Sequence, residues 1–118
     1  MQGKKTLTLK KDFARLHRSG ASWAGSLLVI KALHNDLETT RYALSISKKT
    51  GGAVLRNRLR RRLREIVRSA KITGDWDILI IARPASKEAG FEELRSSLMT
   101  LLKRAELIEN EELCLKTD

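Results

Sequence analysis

The chain has 118 residues, 42% hydrophobic and 32% charged, with one proline; this fits one globular domain with a modest core and excludes disorder throughout. Cys114 is the single cysteine and His17 and His34 the two histidines, so an intrachain disulfide and a Cys/His zinc site are both excluded. No apolar run approaches the roughly 18 to 20 residues of a membrane span, and Met1 to Lys11 lacks the apolar stretch of a signal peptide, so a cytoplasmic protein with no membrane partner is expected.

In chain order, Leu9, Phe13 and Leu16 have helical spacing, with Thr8 placed to cap and Gly20 to terminate a short first helix. Ala21 to Gly25 then reads as a brief strand and Ser26 to His34 as a longer one. Past a polar turn, Arg41 to Lys48 alternates Tyr42, Leu44 and Ile46 with Arg41, Ala43, Ser45 and Ser47, so this strand and the one before it are expected to pair as a hairpin. Gly51-Gly52 breaks the pattern. From Ala53 to Ala70, Leu55, Leu59, Leu63, Ile66, Val67 and Ala70 form one stripe of a long helix. Trp76 to Ala82 is nearly all apolar, as suits a central strand covered on both faces, and Arg83-Pro84 ends it. Phe91, Leu94, Leu98, Leu101, Leu102 and Ala105 mark a last amphipathic helix, and the acidic end from Glu106 is either a further turn or frayed. The order α-β-β-β-α-β-α, with 4% aromatics, predicts an α+β sandwich of helices on one sheet with an aliphatic core, a single domain over 1–118.

The net charge of +10 is concentrated: residues 41–71 hold eleven bases against Glu65 alone. Residues 1–20 carry six bases against Asp12, while 88–118 carry eight acids against four bases. Such a field attracts polyanions, nucleic acid first and an anionic membrane surface second. With Arg56 at zero on a wheel of about 100° per residue, the apolar stripe spans roughly 260° to 20°, and Asn57, Arg61, Arg64 and Arg68 fall within roughly 80° to 140°. Arg58 and Arg62 flank one side of that cationic face and Arg60 the other. Arg56, in line with the stripe, is expected at the sheet edge or reaching past the helix terminus. Glu65 is alone among seven arginines, so the helix lacks the acid–base pairs that usually relieve repulsion, and arginine favours bidentate phosphate contact. Lys48 and Lys49 extend the positive surface to the helix N-terminus, where backbone N–H groups also attract phosphate.

The run SKKTGGAVLRNRLRRRLREIVR, Ser47 to Arg68, resembles the signature of the bacterial ribonuclease P protein component: the Arg56-Asn57-Arg58 triplet, preceded by Lys-Lys-x-Gly-x-Ala-Val and followed by further bases. Asp12-Phe13 with Gly20 is similar to that family's first helix, and DILIIARPAS, Asp77 to Ser86, to its last strand and following turn, so the likeness extends to about Leu107. The remainder of the acidic end, 106–118, is not diagnostic. The resemblance implies a ribosomal S5 domain 2-like mixed sheet with a left-handed β-α-β crossover, which the usual right-handed preference would have rejected. It also implies an accessory subunit of an endoribonuclease, whose catalytic RNA, holding the Mg²⁺, removes the 5′ leader of precursor tRNA.

By matched positions, the resemblance makes Lys48, Lys49, Arg56, Asn57, Arg58, Arg60, Arg61 and Arg64 candidates for RNA contact, to which the wheel adds Arg68. A cleft between first helix and sheet would hold the single-stranded leader, with Phe13 in it. Phe13 serves equally well as a core residue of a short helix. Where family members often place aromatics, this chain has His17 and, by a looser alignment, Lys31, which exchanges base stacking for hydrogen bonding or phosphate contact.

No residue here is a catalytic candidate, and no metal site or cofactor bound by the protein alone is expected. Asp75 and Asp77 bracket Trp76 at a strand start and read as caps or turn residues rather than metal ligands. His17 and His34 do not form an acid/base pair in sequence, and Cys114 reads as a small apolar side chain. A structural ribosomal-type RNA-binding protein is the alternative reading. DNA is disfavoured as a partner, since the helix lacks the mixed residues that read base edges and no helix-turn-helix partner precedes it. A monomer is expected in isolation.

Overall fold

The structure, a computed structural model, describes residues 5–6, 10–35, 37 and 39–108. Along it run β1 (Lys5–Thr6), α1 (Lys10–Ser19), β2 (Ala21–Ala24), β3 (Leu28–His34), β4 (Arg41–Ile46), α2 (Ala53–Ser69), β5 (Trp76–Ala82) and α3 (Phe91–Arg104), with 3₁₀ turns at Lys48–Thr50 and Pro84–Glu88. The strands form one mixed sheet in the order β1-β4-β5-β3-β2. The α+β class and the element order expected from the sequence are both present, with β1 added at the edge, parallel to β4.

The apolar run of β5 places it in the middle. Ile78, Ile80 and Ala82 join the larger core beneath α2 and α3, while Leu79 on the opposite face joins Leu16 of α1 and Ala43 of β4. Strand alternation sorts the neighbours in the same way: Leu28, Ile30 and Ala32 of β3 and Tyr42 and Ile46 of β4 belong to the α2/α3 side. The largest fully buried side chains are all leucine or isoleucine, as the scarcity of aromatics requires.

One expectation is corrected. The third and fourth strands do not form a hairpin; β5 lies between them, antiparallel to β3 and parallel to β4. The observed hairpin is β2–β3. Alternation specifies which face a residue takes but not which strand stands beside it, and the strand with two apolar faces excludes the others from the centre. The segment between β3 and β4 therefore arches over the start of β5, where Asn35 N donates to Asp75 O at 3.0 Å and Thr40 Oγ1 to Gly74 O at 3.0 Å. Parallel β4 and β5 need a crossover connection, which α2 supplies; this is the unit to which the resemblance assigns left-handedness.

The stripe read from the sequence is the buried face of α2: Leu59, Leu63, Ile66 and Val67 are all nearly inaccessible. On the other side of the sheet, α1 is fixed by Leu16, which is fully buried. Gly20 ends α1 through its N–H to Leu16 O at 2.9 Å, and any Cβ there would stand 2.6 Å from that oxygen. Thr8 and the segment 109–118 lie outside the described residues, as does the side chain of Phe13. The start of the acidic end is not frayed: Glu106 adopts φ 61°, Glu106 N donates to Lys103 O and Leu107 N to Leu102 O, and Leu107 is fully buried. This is a Schellman closure of α3, with glutamate in the position that usually favours glycine.

Candidate nucleic-acid interface

Because the apolar stripe of α2 faces the sheet, the opposite side of the helix faces solvent. Asn57, Arg58, Arg61, Arg64, Glu65 and Arg68 are all exposed there. No described residue forms a hydrogen bond or ion pair with Arg58, Arg61, Arg64 or Arg68. Four uncompensated guanidiniums on one face repel one another, and a phosphate-bearing partner would relieve that repulsion.

The remaining arginines of α2 are engaged. Arg56 is half-buried and its Nε reaches back past the helix start to Gly51 O at 3.2 Å, in agreement with its place on the wheel. Arg60 Nη1 donates to Asn57 Oδ1 at 3.1 Å, so these two are held as a pair on the helix. Arg62 Nη1 donates to Ala89 O at 3.2 Å, tying α2 to the turn before α3. Lys48 and Lys49 are exposed in the 3₁₀ turn that follows β4. That turn leads into an α2 N-terminus with Gly52 as cap residue, no side-chain cap and no acid in its first turn. The first N–H groups of α2 therefore follow two lysines and have no anionic side chain capping them among the described residues, a combination that favours phosphate.

The leader-cleft candidates lie on the other face of the sheet. Lys31, half-buried, pairs in register with Ser22 of β2 and Leu79 of β5, which puts it on the α1 side. His17 is exposed on α1. Cation helix and candidate cleft thus occupy opposite faces of one sheet.

The residue that sequence reasoning misjudged is Asp77, which is neither a cap nor a turn residue. It is fully buried in β5 and gathers three donors. Arg41 Nε reaches its Oδ1 at 2.8 Å and Nη2 its Oδ2 at 2.7 Å, Asn35 Nδ2 reaches Oδ1 at 2.9 Å, and Arg15 Nη2 of α1 reaches Oδ2 at 3.4 Å. Burial pushes the carboxyl up, but the bonds from Arg41 and Asn35 and the charges of Arg41 and Arg15 outweigh it and hold it below its ordinary value of 3.8. A charged residue inside the apolar run WDILIIA was the available signal. Arg41, counted in the basic excess of 41–71, is thereby neutralised in the interior, and Arg15 ties α1 to the sheet.

With both its oxygens occupied by cationic and amide donors, Asp77 does not suit a divalent metal, and no group of three His, Cys, Asp or Glu comes together among the described residues. None of their helices is long and apolar enough to cross a membrane.

The chain is similar to known proteins over nearly its full length. A family model described as Ribonuclease P matches residues 1–106. The ribonuclease P protein component of Alkaliphilus metalliredigens is 37% identical over 110 residues, which cover 92% of this chain and 99% of that one. That of a Dehalococcoides mccartyi strain is 37% identical over 120 residues, covering both chains completely. The solved RNase P proteins of Staphylococcus aureus and Thermotoga maritima match with TM-scores of 0.81 and 0.78 at 33% and 31% identity, covering 88% and 85% of this chain and 97% and 96% of theirs. The family model, the matching fold and these similarities agree: this chain belongs to the ribonuclease P protein family.

Proposed function

We propose that the exposed face of α2 binds the catalytic RNA of ribonuclease P, and that the sheet face beside α1 receives the single-stranded 5′ leader of precursor tRNA. The protein assists endonucleolytic removal of the leader, while the RNA and the Mg²⁺ it holds carry the phosphodiester hydrolysis. The observation that supports this best is the set of four arginines, Arg58, Arg61, Arg64 and Arg68, that have no partner among the described residues and are presented on one side of a helix whose other side is locked into the core. Lys48, Lys49 and the uncapped helix start extend that surface, and Arg56, held to Gly51 O, and the bonded pair Asn57 and Arg60 lie at its N-terminal end.

Positive charge delivered to folded RNA replaces counterions, so part of the work of Mg²⁺ in screening phosphates passes to the protein. On the leader side, His17 and Lys31 offer hydrogen bonding and phosphate attraction in place of stacking rings. Leader binding is therefore expected to depend strongly on salt and weakly on base identity.

The test is cleavage of a precursor tRNA by the catalytic RNA at low Mg²⁺, with and without the protein. Restored cleavage, with none by the protein alone, is the expected result. Binding of RNA without any effect on cleavage would replace this reading with a structural ribosomal-type role.

A further inference from the structure

The sheet face opposite α2 carries one short helix, α1, and its attachment is uneven. Among the described side chains of α1, Leu16 alone is buried and Arg15 alone bonds the sheet. Leu16 packs with Leu79 of β5 and Ala43 of β4, and a Cβ on Gly20, at the helix end, would stand 3.3 Å from Ala32 O of β3, so α1 crosses the strands rather than following them. One flank of the helix therefore faces the start of β5 and the other flank its end. At about 100° per residue, Arg15 and His17 project from these opposite flanks, each about 100° from Leu16. Arg15 takes the flank of Asp77. His17 takes the flank where Val29, Ile81 and Ser45 stand side by side in register as a half-buried to exposed floor.

Asp77 is a fixed anchor, fully buried and already holding two bonds from Arg41 and one from Asn35. Arg15 Nη2 reaches it only at 3.4 Å, and Arg15 Nε is buried with no partner among the described residues, although the side chain as a whole is 43% exposed. A sealed donor without a partner lowers stability, so what this arginine adds to the folded core does not account for it. We propose that Arg15 is a positioning residue for the leader: it fixes the roll of α1 about Leu16 and so sets the height of His17 above the floor on the opposite flank. The inference rests on the reading of that face as the leader site. With side chains reaching about 5 to 6 Å from the axis, a roll of about 10° carries His17 by about 1 Å. Hydrogen-bond lengths span only about half an ångström, so such a shift breaks a bond from His17 to the leader.

The experiment compares two precursor tRNAs, one with a long single-stranded leader and one with a leader of a single nucleotide, bound by the holoenzyme reconstituted from the catalytic RNA and the full chain. The ratio of the two affinities measures the leader contact. R15Q, and R15M, which keeps the apolar stem, are expected to lower that ratio roughly threefold to tenfold. Binding of the catalytic RNA and single-turnover cleavage of the short-leader precursor are expected to stay unchanged, with both variants folded by urea unfolding. R15K is expected to keep most of the ratio. On H17A, which itself lowers the ratio, R15Q is expected to add little, since Arg15 acts through His17. An unchanged ratio in folded R15Q and R15M, loss of the fold in both, or a full further loss on H17A overturns the inference. If H17A/K31A leaves the ratio intact, the leader reading fails and the inference with it. A ratio lowered by H17A/K31A but not by R15Q or R15M overturns the inference alone.

Discussion

Arginine serves two purposes in this molecule, and two regions separate them. Around Asp77, Arg41 and Arg15 converge with Asn35 on one buried carboxylate and join β4, β5, α1 and the β3–β4 connection. On the outer face of α2, Arg58, Arg61, Arg64 and Arg68 stand on four successive parts of one helix with no described partner. The first arrangement satisfies charge within the fold; the second leaves it for something outside. Position in the fold, not residue type, decides which arginine is structural.

The largest expected effect lies in the buried cluster. Asp77→Ala leaves Arg41, whose side chain is 16% exposed, without its carboxylate, and is expected to cost about 3 kcal/mol of stability by urea unfolding. The salt dependence of RNA binding should stay as it was. Loss of salt slope at full stability would erase the distinction between the two regions. The acid limb follows from the same site. Since the Asp77 carboxyl titrates below its ordinary value of 3.8 when folded, its contribution is complete above that pH and is lost as pH falls through the folded value. Asp77→Asn is expected to lower stability near neutrality and to flatten its decline as pH falls below the carboxyl's ordinary value of 3.8; an unchanged acid limb would count against Asp77 as the titrating group.

A smaller effect sharpens the comparison within α2 itself. Arg62 shares the cationic helix but donates to Ala89 O at 3.2 Å, so Arg62→Ala is expected to cost about 1 kcal/mol of stability and little of the salt slope. A large loss of slope with unaltered unfolding would place Arg62 with the outward set.

Much of this was legible in the sequence. The stripe from Leu59 to Val67 fixes the buried side of α2, and the same periodicity then fixes the outward side on which Arg61, Arg64 and Arg68 lie. The nearly continuous apolar run of β5 announces a central strand, and Arg56 reaches past the helix start because it shares the apolar stripe. The insertion of β5 between β3 and β4 was not legible, since pairing is a long-range choice that a period of two does not encode. Asp77 was missed for the same reason: its donors come from 36, 42 and 62 residues away. A two-residue strand such as β1 leaves no pattern at all, and the closure at Glu106 lacks the glycine that usually marks it.

The central claim is that the outward arginines of α2 meet phosphate. Its most direct test is the salt dependence of binding to the catalytic RNA for the chain with Arg58, Arg61, Arg64 and Arg68 replaced by glutamine, compared with the unaltered chain. We expect the slope of log affinity against log salt to fall by about three, with unfolding stability unchanged or slightly raised as the repulsion is removed. An unaltered slope in a stably folded variant would contradict the claim and move the RNA contact off this helix.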